Sequence, residues 1–172
     1  MVETAIESLS SATVSSQVAV IEIATRGRGF QEISGELQNV VTGSGVAIGL
    51  CHVFLRHTSA SLLITENADP DVRRDLENFI CKLAPDGDPS HVHTMEGPDD
   101  MPAHIRSVLT CCELTIPIRE GRLALGTWQG AYLWEHRHRA HRRRLDITIV
   151  GLSERTLFAM IFPKKFGPTF PE

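Results

Sequence analysis

Residues 46–55 read VAIGLCHVFL, an almost wholly apolar run with β-branched side chains at several positions. A run of this length and composition is typical of a strand that is buried on both faces of a sheet. The polar sequence RHTSA follows at residues 56–60, and side chains at the end of a buried strand are well placed for function. We therefore expect a buried strand over residues 46–55 that places this polar sequence at its end.

Other strands are predicted on both sides of this run. Residues 17–25 are apolar on most of both faces, which favours a central position in the sheet. Residues 114–118 contain Pro117, which has no amide hydrogen and therefore favours an edge or a bulge. A turn at residues 119–122 leads into a hairpin partner at residues 123–125. Further strands are expected at residues 61–64, 131–135 and 145–150.

Three helical patterns separate these strands. The clearest follows Asp69, whose side chain can cap a helix, and has Pro70 at its first position. The apolar residues that follow fall on one stripe of that helix. A shorter helix is predicted from about residue 33 to the glycines at residues 43–45, and another from about residue 102 to residue 109.

Strands at both ends of the chain with helices between them indicate an α+β fold with a largely antiparallel, sandwich- or barrel-like sheet. We expect one domain over residues 17–152, because the chain is long enough for one sizeable core. Residues 1–16 are expected to be a flexible leader and residues 153–172 an irregular tail.

The composition limits the class of protein. The chain has 172 residues, of which 42% are hydrophobic and 22% charged, and its formal net charge is −4. These values are typical of a soluble globular domain and give no general attraction to nucleic acid or to anionic membranes. We expect no transmembrane helix and no secretory signal, because the sequence lacks a long apolar run and a basic start followed by an apolar block. Its four cysteines lack a CxxC spacing, which favours reduced thiols and a cytoplasmic protein over a zinc–cysteine site or a disulfide framework.

Chemically active residue types are concentrated at residues 91–105, HVHTMEGPDDMPAHI, which contain three histidines and three carboxylates. Neutral imidazoles bind metals, and carboxylates coordinate metals or orient a histidine. His93 and His104 are too far apart to share a helix face, but a glycine and two prolines restrict the chain between them. The stretch therefore predicts either a metal site or histidines that hydrogen-bond in a polar loop.

A third protein ligand would come from outside this pair of histidines. The candidates are His57, at the end of the long apolar run, and the carboxylates of Glu66 and Asp99. Three protein ligands would leave an open coordination position for a substrate.

Three other stretches have both a functional and a structural interpretation. HTS at residues 57–59 either contributes to a site or satisfies backbone groups at a strand end, and no nucleophile-elbow sequence supports a catalytic triad there. GTWQG at residues 126–130 either allows a ligand to approach the backbone or forms a β-bulge with a packed tryptophan. Residues 135–144 carry five arginines and one glutamate, and form either a phosphate-attracting patch or a solvated hairpin tip.

Five blocks of the sequence, in this order, resemble the YjbQ-like family, which is also called the secondary thiamine-phosphate synthase family. The resemblance extends from about residue 18 to residue 151, and the five blocks together are highly specific. The blocks are HTSAS at residues 57–61, ENADP at 66–70, EGPDDMPAHI at 96–105, GTWQG at 126–130 and EHR at 135–137.

The resemblance implies a compact α+β subunit that assembles as a homotrimer, with polar site residues gathered near subunit contacts. It also implies a weak thiamine-phosphate synthase activity. In that reaction a hydroxymethylpyrimidine pyrophosphate and a thiazole phosphate join, and pyrophosphate leaves. The family's histidines correspond to His57, His93 and His104, although SHV at residues 90–92 departs from the frequent Tyr-x-His form.

From the resemblance we expect a divalent metal ion, zinc or magnesium, held by His57, His93 and His104, with Glu66 completing the catalytic set. A metal ion or an arginine would stabilise the charge that builds on the leaving pyrophosphate. The residues expected to contact the phosphorylated substrate are Thr58, Ser59, Asn67, Trp128, Gln129 and Arg143. In this scheme the indole of Trp128 stacks on a flat heterocycle, and the guanidinium of Arg143 neutralises phosphate.

The alternative function is a non-catalytic trimeric module that binds phosphate or a small molecule. We expect no membrane partner. We also expect no nucleic-acid partner, because the chain is not basic and its arginine-rich turn lacks interleaved aromatic residues.

Overall fold

The computed structural model describes residues 14–153 and 156–157. The elements within residues 14–153 are, in chain order, β1 (Ser15–Ala24), β2 (Gly29–Glu32), α1 (Ser34–Ser44), β3 (Val46–Leu55), β4 (Ala60–Glu66), α2 (Pro70–Leu83), α3 (Asp100–Leu109), β5 (Glu113–Arg119), β6 (Arg122–Leu123), β7 (Gln129–Glu135) and β8 (Arg142–Ser153).

These strands form two antiparallel sheets that enclose the core. The larger sheet has the strand order β1-β8-β3-β5-β6, and the smaller one has the order β2-β7-β4. The buried core residues come from the facing sides of both sheets and from α1. The structure thus confirms the predicted α+β fold with a largely antiparallel sheet.

Strand β3 occupies the middle of the larger sheet, between β8 and β5, and has the bounds predicted from its apolar run. Its inward side chains, among them Val53 and Leu55, are fully buried. The outward side chains of Leu50 and Phe54 are 49% and 41% exposed. The expectation that both faces of this strand are buried is therefore wrong, because α1 and the smaller sheet cover only one face.

Strand β1 lies at an edge of the larger sheet and pairs only with β8 in the described part of the chain. The prediction that it is central is wrong. Its outward side chains Val18 and Val20 are 71% and 47% exposed, so the apolar residues on its second face do not face the core. Pro117 is in β5, which beyond β3 has only the two-residue strand β6 as a neighbour, so a position near the edge agrees with the prediction.

The helices follow their sequence signals. The side chain of Asp69 accepts a hydrogen bond of 2.8 Å from the backbone N–H of Asp71, which is the predicted cap of α2. Helix α1 ends at Gly45, whose φ of 66° is in the left-handed region. Strand β2 was not predicted, since its four residues pair with β7 but show no strand pattern of their own.

The predicted leader at residues 1–16 and tail at residues 153–172 lie almost entirely outside the described residues, so they stay predictions. Within the described residues, no helix has the length and apolar character needed to cross a membrane.

Candidate metal centre

His93, Asp100 and His104 form a compact cluster of possible metal ligands. One ligand atom from each residue lies within 4.8 Å of the others. Asp100 and His104 are four residues apart on α3, which places both side chains on the same face of the helix. His93 reaches the cluster from the loop that precedes α3. Thus a helix and a loop together form the site, as the spacing of the two histidines had suggested.

The two histidines converge on one carboxylate oxygen. The Oδ2 atom of Asp100 lies 2.7 Å from Nε2 of His93 and 3.5 Å from Nε2 of His104. The Nδ1 atom of His104 donates a 3.0 Å hydrogen bond to the backbone carbonyl of Thr58. Because a carbonyl can only accept, Nδ1 carries a proton, and the lone pair of neutral His104 is at Nε2, on the side of Asp100.

Arg137 holds the acidic side of the cluster. Its guanidinium bonds Oδ1 of Asp100, lies 3.1 Å from Oδ2 of Asp99, and donates to the backbone carbonyl of Glu96 at 2.8 Å. These contacts occupy Oδ1 of Asp100 and leave Oδ2 directed at the histidines. Arg137 therefore positions the carboxylate that both histidines share.

Asp99, the first of the two adjacent aspartates, is used structurally. Its Oδ2 atom accepts a 2.8 Å hydrogen bond from the backbone N–H of His138 and also contacts Arg137. Burial raises the pKa of Asp99, but the hydrogen bonds from His138 and Arg137 and the charge of Arg137 outweigh it, so the net pKa is lowered. Asp99 therefore stays ionised and ties α3 to the turn between β7 and β8.

The cluster is closed on its carboxylate side and open on its histidine side. The side chain of Asp100 is 2% exposed, whereas those of His93 and His104 are 46% and 33% exposed. Two imidazole nitrogens and one carboxylate oxygen suit zinc and several other divalent transition metals. The donor types, their mutual distances and the orientation of His104 by Thr58 all fit a bound divalent ion with an accessible position.

His57 is in a different local environment from the other two predicted histidine ligands. Its Nε2 atom accepts a 2.9 Å hydrogen bond from the backbone N–H of Arg144. Burial and the nearby charge of Arg143 lower its pKa, which favours a neutral ring with its proton on Nδ1. Asp100, not His57, is the third member of the compact cluster in this subunit, and a role for His57 as a metal ligand stays a prediction.

A groove connects His57 with the cluster. It has a volume of about 560 Å³ and is lined by residues from the end of β3 and from α3. His57, Thr58 and His104 all border it. The structure therefore places the predicted residues at the end of β3 next to the cluster, around one opening.

The remaining predicted residues form a second group at the other end of β4 and β7. Asn67 donates to the backbone carbonyl of Gln129 at 3.3 Å, and the side-chain oxygen of Gln129 accepts from the backbone of Gly126 at 2.8 Å. Trp128 is 65% exposed, and Glu66 pairs with Gln129 in the sheet. Because β4 has seven residues, about 20 Å of strand separates this group from the groove within one subunit.

Arg143 is buried in an ion pair. Its guanidinium bonds both oxygens of Glu135, with an Nε–Oε2 distance of 2.7 Å, and reaches the backbone carbonyl of Ser59 at 3.3 Å. The two side chains are 3% and 1% exposed. Burial raises the pKa of Glu135, but hydrogen bonds from Arg143 and from the backbone of Arg137 lower it further than burial raises it. This pairing stabilises the fold, and the expected contact of Arg143 with phosphate stays a prediction.

Sequence reasoning missed Asp100 and Arg137 as members of the site. Asp100 had a signal, since it lies four residues before His104 and just ahead of the helix predicted from about residue 102. For Arg137 the only sequence signal was its place in the EHR block at residues 135–137. Its role could not be predicted, because it contacts Asp100, which is 37 residues away in the sequence.

Comparison with known proteins finds relatives that all come from one family. Residues 19–152 match the family described as UPF0047 protein YjbQ-like. A UPF0047 protein of Synechocystis is 51% identical over 142 residues, which cover 83% of this chain and 97% of the relative. The UPF0047 protein YjbQ of Escherichia coli O157:H7 is 42% identical over 132 residues, which cover 76% and 95% of the two chains.

Solved structures share the fold. An uncharacterised YjbQ/UPF0047 family protein from Clostridium acetobutylicum is 37% identical, with a TM-score of 0.68 over 76% of this chain and 98% of that one. A YbjQ-like protein from Sulfolobus solfataricus has a TM-score of 0.73 over 81% of this chain and 99% of that one. At 24% identity the latter shows the fold alone.

Proposed function

The chain belongs to the UPF0047 YjbQ-like family, and from this membership and the geometry of the site we propose that it is a metal-dependent transferase acting on phosphorylated small molecules. The observation that carries the proposal is the cluster of His93, Asp100 and His104, whose ligand atoms lie within 4.8 Å of one another. These three residues would hold a divalent ion, which would supply positive charge to stabilise a departing pyrophosphate.

Each residue of the cluster has a defined task in this proposal. His93 and His104 offer one nitrogen each, and Asp100 offers Oδ2. The backbone carbonyl of Thr58 fixes the ring of His104, and Arg137 fixes the carboxylate of Asp100. The site is thus held in shape before a ligand arrives, which reduces the cost of ordering it. The exposed side of the two imidazoles is where a substrate phosphate would bind.

The specific reaction we propose is that implied by the family resemblance, the joining of hydroxymethylpyrimidine pyrophosphate and thiazole phosphate with release of pyrophosphate. The proposal places Trp128 and Gln129 against a flat heterocycle. Since about 20 Å of β4 separates this pair from the groove beside the candidate metal centre of the same subunit, it would serve the site of a neighbouring subunit.

A homotrimer, also implied by the resemblance, forms part of this proposal. The outer face of the larger sheet supports it, because six large apolar side chains on that face are at least 38% exposed. They are Val18, Val20, Ile48, Leu50, Phe54 and Val150. Exposed apolar side chains concentrated on one sheet face are typical of an interaction site. We name these six residues the outer sheet face.

The experiment that tests the proposed function measures pyrophosphate release by zinc- or magnesium-loaded protein supplied with both substrates. His104→Ala should reduce turnover by about 100-fold or more, because it removes a ligand and not merely a group that orients one. His91→Ala is the matched control, since it removes a histidine from the same stretch but outside the cluster. Far-UV circular dichroism should show both variants folded.

The alternative, a trimeric module that binds phosphate without turnover, is favoured by the distance between the two groups of residues. If the wild type binds phosphate through the metal and releases no pyrophosphate, the binding module is the correct function. Equal turnover of wild type and His104→Ala would contradict the metal-dependent transferase.

The compartment proposed is the cytoplasm. Cys51, Cys81, Cys111 and Cys112 are all free thiols within the described residues, and free thiols are usual in a reducing compartment. Of the five arginines in the arginine-rich turn, Arg137 and Arg143 are paired with acidic side chains.

A further inference from the structure

We propose that the groove beside the metal centre binds the apolar part of the substrate, and that this substrate is a phosphate monoester of a single uncharged ring. The inference rests on the proposed function for the phosphate end of the ligand. It adds a second subsite, formed by β3 and α3, that determines which phosphate esters are accepted.

The groove has the size of a small-molecule site. Its volume is about 560 Å³, and sites for small ligands typically measure about 300–1,000 Å³. Phe54, which is 41% exposed, forms part of its wall from β3, and Ser107 and Val108 line it from α3. Because Val108 is 84% exposed, its side chain is available to a ligand.

The polar groups of the groove lie close to the metal centre. His104 borders both the groove and the ligand cluster, so a molecule in the groove has its polar end at the metal centre. His57 also borders the groove, and its free nitrogen is Nδ1, since Nε2 accepts from the backbone of Arg144. A site with apolar walls and convergent polar groups at one end fits a ligand with a phosphate head and an apolar body.

The charge in the groove argues for an uncharged body. His57 is favoured in its neutral form, because burial and the charge of Arg143 lower its pKa. The guanidinium of Arg56 lies 3.6 Å from a carboxylate oxygen of Asp146, which neutralises it in part. A positively charged ring would lose hydration in this groove without gaining an ionic partner, because none of the lining residues that the structure describes is acidic. A neutral ring would gain from burial against Phe54 and Val108.

The test compares two probes, inorganic phosphate and phenyl phosphate, with zinc-loaded protein from which excess zinc has been removed. Isothermal titration calorimetry should show that phenyl phosphate binds at least about 10-fold more tightly, because its ring is buried in the groove. Val108→Trp fills the groove and should abolish this difference, while zinc content and affinity for inorganic phosphate are unchanged. Val92→Trp, at a side chain that is 97% exposed and outside the groove, should behave like the wild type.

The outcomes separate this inference from the proposed function. If inorganic phosphate binds in a zinc-dependent way but phenyl phosphate binds no more tightly, the groove subsite is wrong and the metal site stands. If Val108→Trp leaves the preference for phenyl phosphate intact but alters the oligomeric state, a second copy of the chain covers the groove, and the inference is overturned. If neither probe binds, the proposed function fails and this inference fails with it.

Discussion

At the scale of single residues, a chain of hydrogen bonds fixes the buried His136, which lies outside the candidate metal centre. Thr110 donates its hydroxyl proton to the carbonyl of Arg106 at 2.7 Å, so it accepts from the hydroxyl of Ser61. Ser61 therefore has to accept from Nε2 of His136, which lies 2.6 Å away. The chain of donors thus assigns one tautomer to His136, with its proton on Nε2.

This arrangement makes stability depend on pH. Burial and the charge of Arg106 lower the pKa of His136 from its ordinary 6.5 to about 3. The unfolded chain takes up this proton near pH 6.5 and the folded chain only near pH 3. The contribution of neutral His136 to the free energy of unfolding is therefore complete above pH 6.5. It is lost as the pH falls from 6.5 to about 3, by at most about 1.4 kcal/mol per pH unit.

His136→Gln should remove this titration, because an amide can still donate to Ser61 but cannot gain a proton. Urea unfolding between pH 4 and pH 8 should give a shallower pH dependence for the variant than for the wild type. Parallel curves for the two proteins would contradict the assigned role of His136.

At the scale of secondary-structure elements, the pairing of β3 with β8 depends on two facing glycines. Gly49 is directly opposite Gly151 in the sheet. A Cβ atom on Gly49 would lie 2.1 Å from the backbone oxygen of Val150, and one on Gly151 would lie 2.2 Å from that of Ile48. Since a backbone atom cannot move away as a flexible side chain can, either substitution separates the central strands.

Gly49→Ala should therefore lower the free energy of unfolding by about 2–3 kcal/mol, measured by urea titration. Gly43→Ala is the control, because among the described residues nothing lies within 4 Å of its added Cβ. In the helix α1 this change should stabilise the protein by about 0.5–1 kcal/mol. Similar destabilisation by both substitutions would show that close approach of the strands is not the cause.

The bounds of a helix or strand were predictable where neighbouring residues in the sequence determine them. The bounds of β3 and the cap of α2 follow from apolar runs and from the Asp69–Pro70 pair. The edge position of β1 was not predictable, because Val18 and Val20 look like core residues in the sequence yet are exposed in the subunit. The alternation of apolar residues in a strand does not show whether those side chains lie in the core or form an exposed apolar surface.

At the scale of the whole molecule, the candidate site was only partly predictable. The convergence of His93 and His104 was expected from the stretch that contains them, whereas Arg137 joins it through contacts across the fold. The group around Trp128 and Gln129 lies at the far end of β4, where β4 pairs with the start of β7. The order of the blocks along the sequence does not reveal this separation, because it depends on how the strands pair. Bringing both groups into one site requires more than one subunit.

The outer sheet face is the surface at which a substitution should disrupt the proposed trimer. Leu50→Glu places a charge at a side chain that is 49% exposed in the subunit, and it should dissociate the proposed trimer because an unpaired carboxylate is costly to bury. Val92→Glu, at a side chain that is 97% exposed on a loop, should leave assembly unchanged. Light scattering coupled to size-exclusion chromatography measures the mass of both variants. A wild-type monomer, or an unchanged oligomer in Leu50→Glu, would contradict this interface.

The central claim is that His93, Asp100 and His104 bind a divalent metal ion, and the metal affinity of chelator-treated protein tests it most directly. Zinc titration against a competing dye should give one tight site per chain in the wild type and in the control Asp75→Asn, which changes an exposed aspartate of α2. Asp100→Asn and His104→Ala should each weaken that site by about 100-fold or more. Equal zinc affinity in the wild type and in both cluster variants would contradict the metal centre.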